Sequence, residues 1–329
     1  MTAPIIGVSL GEPGGIGSEI VLKHLVHDWK KAPAYFPVIF GTQEILKHPA
    51  LQTLVAELGP ILPFENEPQP QTVYLVDTGN LSTAFTIGKP DAANGAWVDH
   101  TLRMAARYAM EGRINGLVTA PICKESLQLA QVPYTGHTTL LQAATGSSDV
   151  SMAFYTPKLK TILTTIHTPL RTVPSLLTKE NLTRVSHHAI AFAHMLGLKN
   201  PRIAMAGLNP HAGENGLLGS EEKDILTPFT AVFEQDGIRI SGPFPPDTLY
   251  YRAAQGEFDI VISLYHDQGL IPIKLIGFET AVNLTIGLPF IRTSPDHGTA
   301  FDIAYQNKAS HHSFSAAVDL AVKLIIHGA

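Results

Sequence analysis

Short β-branched runs alternate with longer helical patterns along nearly the whole chain, and this alternation restricts the fold more than any other feature. Residues 5–10, 38–40, 72–76, 116–118, 161–166, 202–206 and 259–264 read as strands. Residues 18–29, 95–111, 138–145, 179–196, 220–235 and 313–326 carry helical spacing. Strands separated by helices are joined by crossovers, so the pattern predicts an α/β architecture with mostly parallel pairing. The run 281–286 has no clear helix behind it and reads as an added or crossing strand. No internal repeat and no linker-like segment interrupts the pattern.

A chain of 329 residues with 45% hydrophobic composition can bury a large core and favours two domains over one. The formal net charge is −5 and no cluster of Lys and Arg is present, which argues against a nucleic-acid or anionic-membrane partner. Cys123 is the sole cysteine, so an intrachain disulfide and a CxxC metal site are both excluded. That fits a reducing compartment. The start lacks a basic segment ahead of an apolar one, and no apolar run reaches the ~20 residues needed to span a bilayer. The expectation is a soluble cytoplasmic protein.

The glycine-rich stretch GVSLGEPGGIGSE lies between the first strand and the first helix. It fits neither common phosphate template. GxGxxG could begin only at Gly15 and Gly17, and Ile20 then stands where the third glycine belongs. GxxxxGK[ST] counted from Gly11 meets Ile16, with no lysine after it. The stretch is not a Rossmann signature.

In open α/β sheets, ligands bind beyond the carboxyl ends of the strands. That rule selects among fifteen histidines. His167, His211 and His266 each follow an apolar run. If those runs are neighbouring parallel strands, three imidazoles share one rim and suit a divalent transition metal. Taken singly, each reads better as a surface or hydrogen-bonded histidine. Asp247 in PPDTL and Asp267 beside His266 are candidate outer carboxylates that would orient the ligands, or else solvated loop acids or helix caps.

A second group suits an anion. His137 and Thr138, in TGHTT, stand at the start of a helical segment, where free backbone amides favour phosphate or carboxylate. Lys274 and Asn283 interrupt apolar runs, and Arg292 follows one. Each is a bound-anion candidate or the outward residue of an edge strand. A third stretch contains Asp296, His297, Gly298, Thr299, Ala300 and Asp302, in DHGTAFD. Glycine beside a small hydroxyl residue admits a flat or phosphorylated ligand close to the backbone. The acid a few positions on can accept from a ribose hydroxyl.

Taken in order, GEPGGIG, TGHT, IHTPL, GLNPHAGE, YHDQG and GLPFIRTSPDHGTA closely resemble the 4-hydroxythreonine-4-phosphate dehydrogenases of pyridoxal phosphate biosynthesis over essentially the whole chain. That family is similar in fold to the isopropylmalate and isocitrate dehydrogenases. The resemblance implies two α/β/α domains with a cleft between them. Residues 1–129 with 287–329 would form the cofactor side, and 130–286 the metal, substrate and dimerisation side. It implies a homodimer with shared active sites. It places metal ligands on His167, His211 and His266, with zinc, cobalt or magnesium as the ion. It places substrate contacts on His137, Thr138, Lys274, Asn283 and Arg292. DHGTAFD resembles the adenine-ribose loop of the wider superfamily, and Asp302 stands where an acid accompanies NAD. Glu12 is expected at the rim of the cofactor side. One departure stands out: Ile303-Ala304-Tyr305-Gln306-Asn307-Lys308 lacks the glycines the family more often carries between the alanine and the lysine.

The implied chemistry is oxidation of 4-phosphooxy-L-threonine at C3 by NAD, followed by loss of CO₂ to give 3-amino-2-oxopropyl phosphate. Asp247, Asp267 and Lys124 are the candidate proton acceptors. Close relatives of the family act on phosphorylated threonate or erythronate. A three-histidine metal hydrolase is the alternative from another reaction class.

Overall fold

The computed structural model describes residues 3–65, 67–79, 81 and 85–328. Strands numbered in chain order are β1 (Ile5–Ser9), β2 (Phe36–Gly41), β3 (Ile61–Pro63), β4 (Val73–Asp77), β5 (Gly116–Thr119), β6 (Ser151–Tyr155), β7 (Lys160–Leu163), β8 (Ile203–Ala206), β9 (Glu234–Gln235), β10 (Ile238–Phe244), β11 (Ile260–Ser263), β12 (Val282–Ile286) and β13 (Ile291–Pro295). The chain divides into two compact units, Met1–Ser148 with Leu288–His327, and Asp149–Gly287.

In the first unit the strand order is β3-β4-β2-β1-β5-β13, and every pair is parallel. Parallel strands have helices on both faces and so read as unbroken apolar runs. Ile6, Val8, Val38, Phe40, Leu117 and Val118 are fully buried accordingly. The helices Gly17–His24, Ala92–Met110 and His312–Gly328 add Ile20, Leu22, Trp97, Leu102, Phe314 and Val318 to the buried set. Ala92–Met110 begins three residues before its apolar pattern does, because Asp91 caps it and accepts from the amides of Ala93 and Asn94 at 2.8 and 3.2 Å.

The second unit has the order β12-β6-β7-β11-β8-β10-β9. Its centre, β7-β11-β8-β10, is parallel. The margins are antiparallel: β12 runs against β6, β6 against β7, and β9 against β10. One core gathers Phe154 and Leu163, Ala204 and Val261 from four of these strands, with Leu249, Leu270 and Ile273 from helices.

Three expectations are corrected. The helix anticipated over 220–235 stops at Val232, and Glu234–Gln235 pairs as a strand with β10. The break is chemical: Asp236 and Gly237 both have positive φ, 53° and 76°, which is the two-residue turn that Asp-Gly favours in hairpins. The apolar run around Lys274 is no edge strand but part of the helix His266–Gly277, with Pro272 inside it. Finally, the first unit extends to Ser148 instead of ending at 129. His137 and Thr138 therefore belong to the same unit as Arg292. Among the described residues no helix is long and apolar enough to cross a membrane.

Candidate active site

The parallel pairing of β7 with β11 does not stop at the strand ends. Thr164 N donates to Ser263 O, and both the amide and the hydroxyl of Thr165 donate to Leu264 O. His167 lies two residues past Thr165 and His266 two past Leu264, so the extended register delivers both rings to the same edge. Their centroids are 5.7 Å apart. Asp267 Oδ1 accepts from His266 Nδ1 at 2.7 Å. A carboxylate only accepts, so this contact fixes the proton on Nδ1 and turns Nε2 out as a ligand atom. Asp267 thus stands where it can orient the His266 ring. Asp247 does not: it sits exposed in the first turn of the helix Pro246–Ala254, where an acid complements the free amides.

His211 follows β8, the strand on the other side of β11. It opens a turn in which residues 211–215 all have φ between 42° and 79°. Such backbone costs about 1–2 kcal/mol for each residue bearing a β-carbon, so something must hold it. The buried carboxylate of Glu222 fixes the segment that leads into it. Glu222 Oε1 accepts from the amides of Leu208 and Asn209 at 2.7 Å each, and Oε2 from Asn209 Nδ2 at 2.9 Å. Buried Gln268 joins the β8 and β11 ends by donating to Gly207 O and accepting from Leu264 N, both at 2.7 Å. Sequence reading missed Glu222 and Gln268. Their only signals are a polar residue on a buried helical position and the glutamine of YHDQG. The His211 ring itself pairs with Glu214 Oε2 at 3.1 Å. Among the described residues of one chain, no three His, Cys, Asp or Glu side chains are grouped to hold a metal ion. The imidazole donors are of a type that suits a divalent metal.

The first unit holds Arg292, His137 and Thr138. Arg292 on β13 is buried, and its Nε and Nη2 donate to Thr119 Oγ1 at the end of β5, at 3.2 and 2.7 Å. Burial pushes its pKa down to about 9. His137 is the first residue of the helix His137–Thr145, and its Nε2 is buried without a hydrogen-bond partner. Burial foremost, then the Arg292 charge, hold its pKa well below the usual histidine range. A guanidinium, an imidazole nitrogen with no partner and the amides of a helix start suit a bound phosphate oxygen. Thr138 follows on the same turn. Lys124 lies beside Gly136, its Cε 3.8 Å from where a β-carbon on that glycine would stand. Lys274 and Asn283 belong to the other unit, on the helix His266–Gly277 and on β12, where Asn283 Oδ1 is buried without a partner.

The opening glycine stretch is packed rather than open. Residues 11–20 are all buried. A β-carbon on Gly14 would meet Thr86 O at 2.3 Å, and one on Gly15 would meet Thr299 O at 2.9 Å. Ile16 N donates to Thr299 O at 3.0 Å, so this turn is the seat of the DHGTAFD segment. Glu12 is fully buried, which corrects its expected place at a rim; it accepts from Asn94 Nδ2 at 2.8 Å, and burial raises its pKa. Of the DHGTAFD residues, Gly298 and Asp302 are exposed, and Asp296, His297, Thr299 and Ala300 are half-buried. A β-carbon on Gly298 would meet nothing within 4 Å.

A sequence profile described as pyridoxal phosphate biosynthetic protein PdxA matches residues 34–321. The chain belongs to the PdxA family. It is 41% identical over 323 residues to a D-threonate 4-phosphate dehydrogenase of Pectobacterium atrosepticum, covering 97% of this chain and 99% of that one. It is 39% identical over 328 residues to a 4-hydroxythreonine-4-phosphate dehydrogenase of Desulfosudis oleivorans, covering 97% and 95%. The crystal structure of 4-hydroxythreonine-4-phosphate dehydrogenase from Klebsiella pneumoniae superposes with a TM-score of 0.84 at 39% identity, over 98% of this chain and 99% of that one. The α/β fold expected of the isopropylmalate dehydrogenase-like class is the PdxA fold seen here, and the PdxA relatives are dehydrogenases.

Within this PdxA chain the departure from the glycine pattern has a structural trace. Tyr305 and Asn307 both have φ of 58°, backbone that glycine adopts without strain.

Proposed function

We propose that this chain oxidises 4-phosphooxy-L-threonine at C3 with NAD and that the resulting β-keto acid loses CO₂ to give 3-amino-2-oxopropyl phosphate. The observation that carries the reading is the pocket of buried Arg292 beside neutral His137. Arg292, His137 and Thr138 take the phosphate, and Lys274 and Asn283 hold the rest of the substrate. Fixing this remote group supplies the binding energy that orients C3 for hydride transfer. The C3 hydroxyl proton goes to a side chain, for which Lys124, Asp247 and Asp267 are the candidates. Lys124 lies beside Gly136, and Asp267 is already engaged with His266. C3 would then give up its hydride, for which bound NAD supplies the acceptor, and the C–C bond to the carboxylate would break to release CO₂.

His167, His211 and His266 would hold a divalent zinc, cobalt or magnesium ion, which when bound supplies Lewis acidity toward the hydroxyl and the developing negative charge. The same reading takes the protein as a homodimer with active sites shared between copies. The helix that starts at His266 supports it: Ile271, Leu275 and, just past its end, Phe278 are 65%, 85% and 72% exposed, an apolar patch of the kind that pairs proteins. The nucleotide goes to the 296–302 loop, where the exposed Asp302 carboxylate favours NAD by accepting from a ribose hydroxyl and repelling a 2′-phosphate.

A second reading, oxidation of D-threonate 4-phosphate, is favoured by the 41% identity to a relative of that name. The deciding experiment is an NADH-release assay across 4-phosphooxy-L-threonine, D-threonate 4-phosphate and phosphoerythronate, with and without added divalent metal. The expected result is the highest kcat/KM on 4-phosphooxy-L-threonine, dependent on metal. A higher value on D-threonate 4-phosphate overturns the first reading in favour of the second.

A further inference from the structure

We propose that Tyr305 is the positioning residue of the nucleotide loop, pinning its far end to the opening glycine turn so that Asp302 is presented at a fixed place, with His48 and Phe85 completing an aromatic wall beside it. The proposal rests on the reading that the 296–302 loop takes NAD.

Residues 299–305 form a short arch with both feet on one turn. The first foot is Thr299, whose carbonyl accepts from Ile16 N and abuts Gly15. The second foot is Tyr305, whose hydroxyl donates to Pro13 O at 2.7 Å. Between the feet, Ala300 has φ of 42°, residues Phe301–Ile303 make one tight helical turn, and the exposed Asp302 lies near the crown. Two backbone positions three residues apart on the glycine turn therefore fix the carboxylate.

A tyrosine with left-handed backbone persists only where its surroundings over-determine it. Here they do. Its ring centroid is 4.4 Å from that of His48 and 5.9 Å from that of Phe85. Its hydroxyl is sunk toward Ser18, Glu12 and Glu19, and burial raises its pKa. Beyond it, Lys23 Nζ donates to Asn307 O and Ala309 O at 3.1 and 2.8 Å, and Ala309 N donates to Glu19 Oε1 at 2.8 Å. A glycine at 305 would satisfy the backbone but could supply neither the hydroxyl tie nor the ring. The three half-buried rings leave apolar faces beside the loop, where a planar base can stack.

The test uses Tyr305→Phe, which removes only the hydroxyl, and Tyr305→Gly, which relieves the backbone and removes both ties. NADH binding to the full-length protein without substrate is followed by its fluorescence, alongside thermal unfolding and the KM values. The expected result for Tyr305→Phe is a loss of NADH affinity of roughly three- to ten-fold, the size of one net hydrogen bond. KM for NAD should rise in step, without a matching rise in KM for the phosphorylated substrate. Tyr305→Gly should bind NADH more weakly still. Wild-type NADH affinity in Tyr305→Phe overturns the proposal, as does an equal rise in both KM values. Asp302→Ala separates the levels. If Asp302→Ala weakens NADH binding and Tyr305→Phe does not, only the positioning role fails. If wild type does not bind NADH, or Asp302→Ala binds it normally, the nucleotide reading fails and takes the positioning role with it.

Discussion

Gly15 and Thr299 are packed backbone to backbone: a β-carbon on the glycine would stand 2.9 Å from the threonine carbonyl oxygen and 3.0 Å from its Cβ. The start of the chain is thereby fitted to a segment almost three hundred residues later, and the fit leaves no room for a methyl group.

Gly15→Ala should therefore displace the 296–302 loop at a cost of about 1–3 kcal/mol, the usual range for overpacking. Urea unfolding reads the stability, and an NADH titration reads the loop. Gly298→Ala is the matched comparison, because its added carbon meets nothing within 4 Å. It should keep wild-type stability, and it should weaken NADH binding only if the nucleotide lies against that backbone.

Arg292→Ala removes the charge that Thr119 fixes beside His137. Hydrogen bonds to a charged group contribute about 1.5–3 kcal/mol, so substrate KM should rise roughly 10- to 150-fold. Inorganic phosphate, tested as a competitive inhibitor, should weaken in parallel. A normal phosphate inhibition constant in this variant would place the anion elsewhere.

Stability should fall on acidification through buried His24. It bonds Ser315 Oγ through Nδ1 and Tyr35 OH through Nε2, and burial pushes its pKa down to about 4. The unfolded chain binds this proton near pH ~6.5, so between these values the unfolded state holds more protons and stability rises with pH. The contribution is complete above the unfolded value and is lost as pH falls toward 4. From pH 7 to pH 5 the loss is on the order of 2 kcal/mol. His24→Gln should flatten the pH dependence of the urea midpoint over that interval, and His137, also held low, should leave a residual slope.

Glu222→Ala strips Leu208 and Asn209, which lead into the His211 turn, of three hydrogen bonds to one buried carboxylate. The expected cost is about 2–4 kcal/mol. Hydrogen exchange should show residues 207–215 losing protection first. Metal affinity should drop although no ligand was touched.

Leu275→Glu places a charge in the exposed apolar patch of the helix His266–Gly277. Light scattering should show a dimer in the wild type and a monomer in the variant, with turnover lost together with the dimer. A fully active monomer would contradict a shared site.

Much of this was legible in the sequence, and the reasons are physical. Buried parallel strands such as β1 and β11 carry apolar residues on both faces, so they stand out as runs. The rule that ligands gather past strand ends picked His167 and His266, and the paired register brings those rings together. The helix His266–Gly277 was hidden because its apolar residues lie on both faces, Leu270 and Ile273 inward and Ile271 and Leu275 outward, and Pro272 sits inside it, which imitates a strand margin. Glu222 and Gln268 were invisible because their partners are backbone groups on other loops. Glu12 misled for a related reason: an acid in a glycine turn looks exposed, and only the fold shows Asn94 covering it.

The continued pairing of Thr165 with Leu264 has an evolutionary corollary. Both histidine loops are measured out from one shared rung, so the distance between the rings is set by counting residues. Point changes around them leave the count intact, whereas gaining or losing one residue moves a ring by about 3.3 Å and turns it to the opposite face. Among descendants of this sequence, these two segments should tolerate drift in spelling and resist any change in length.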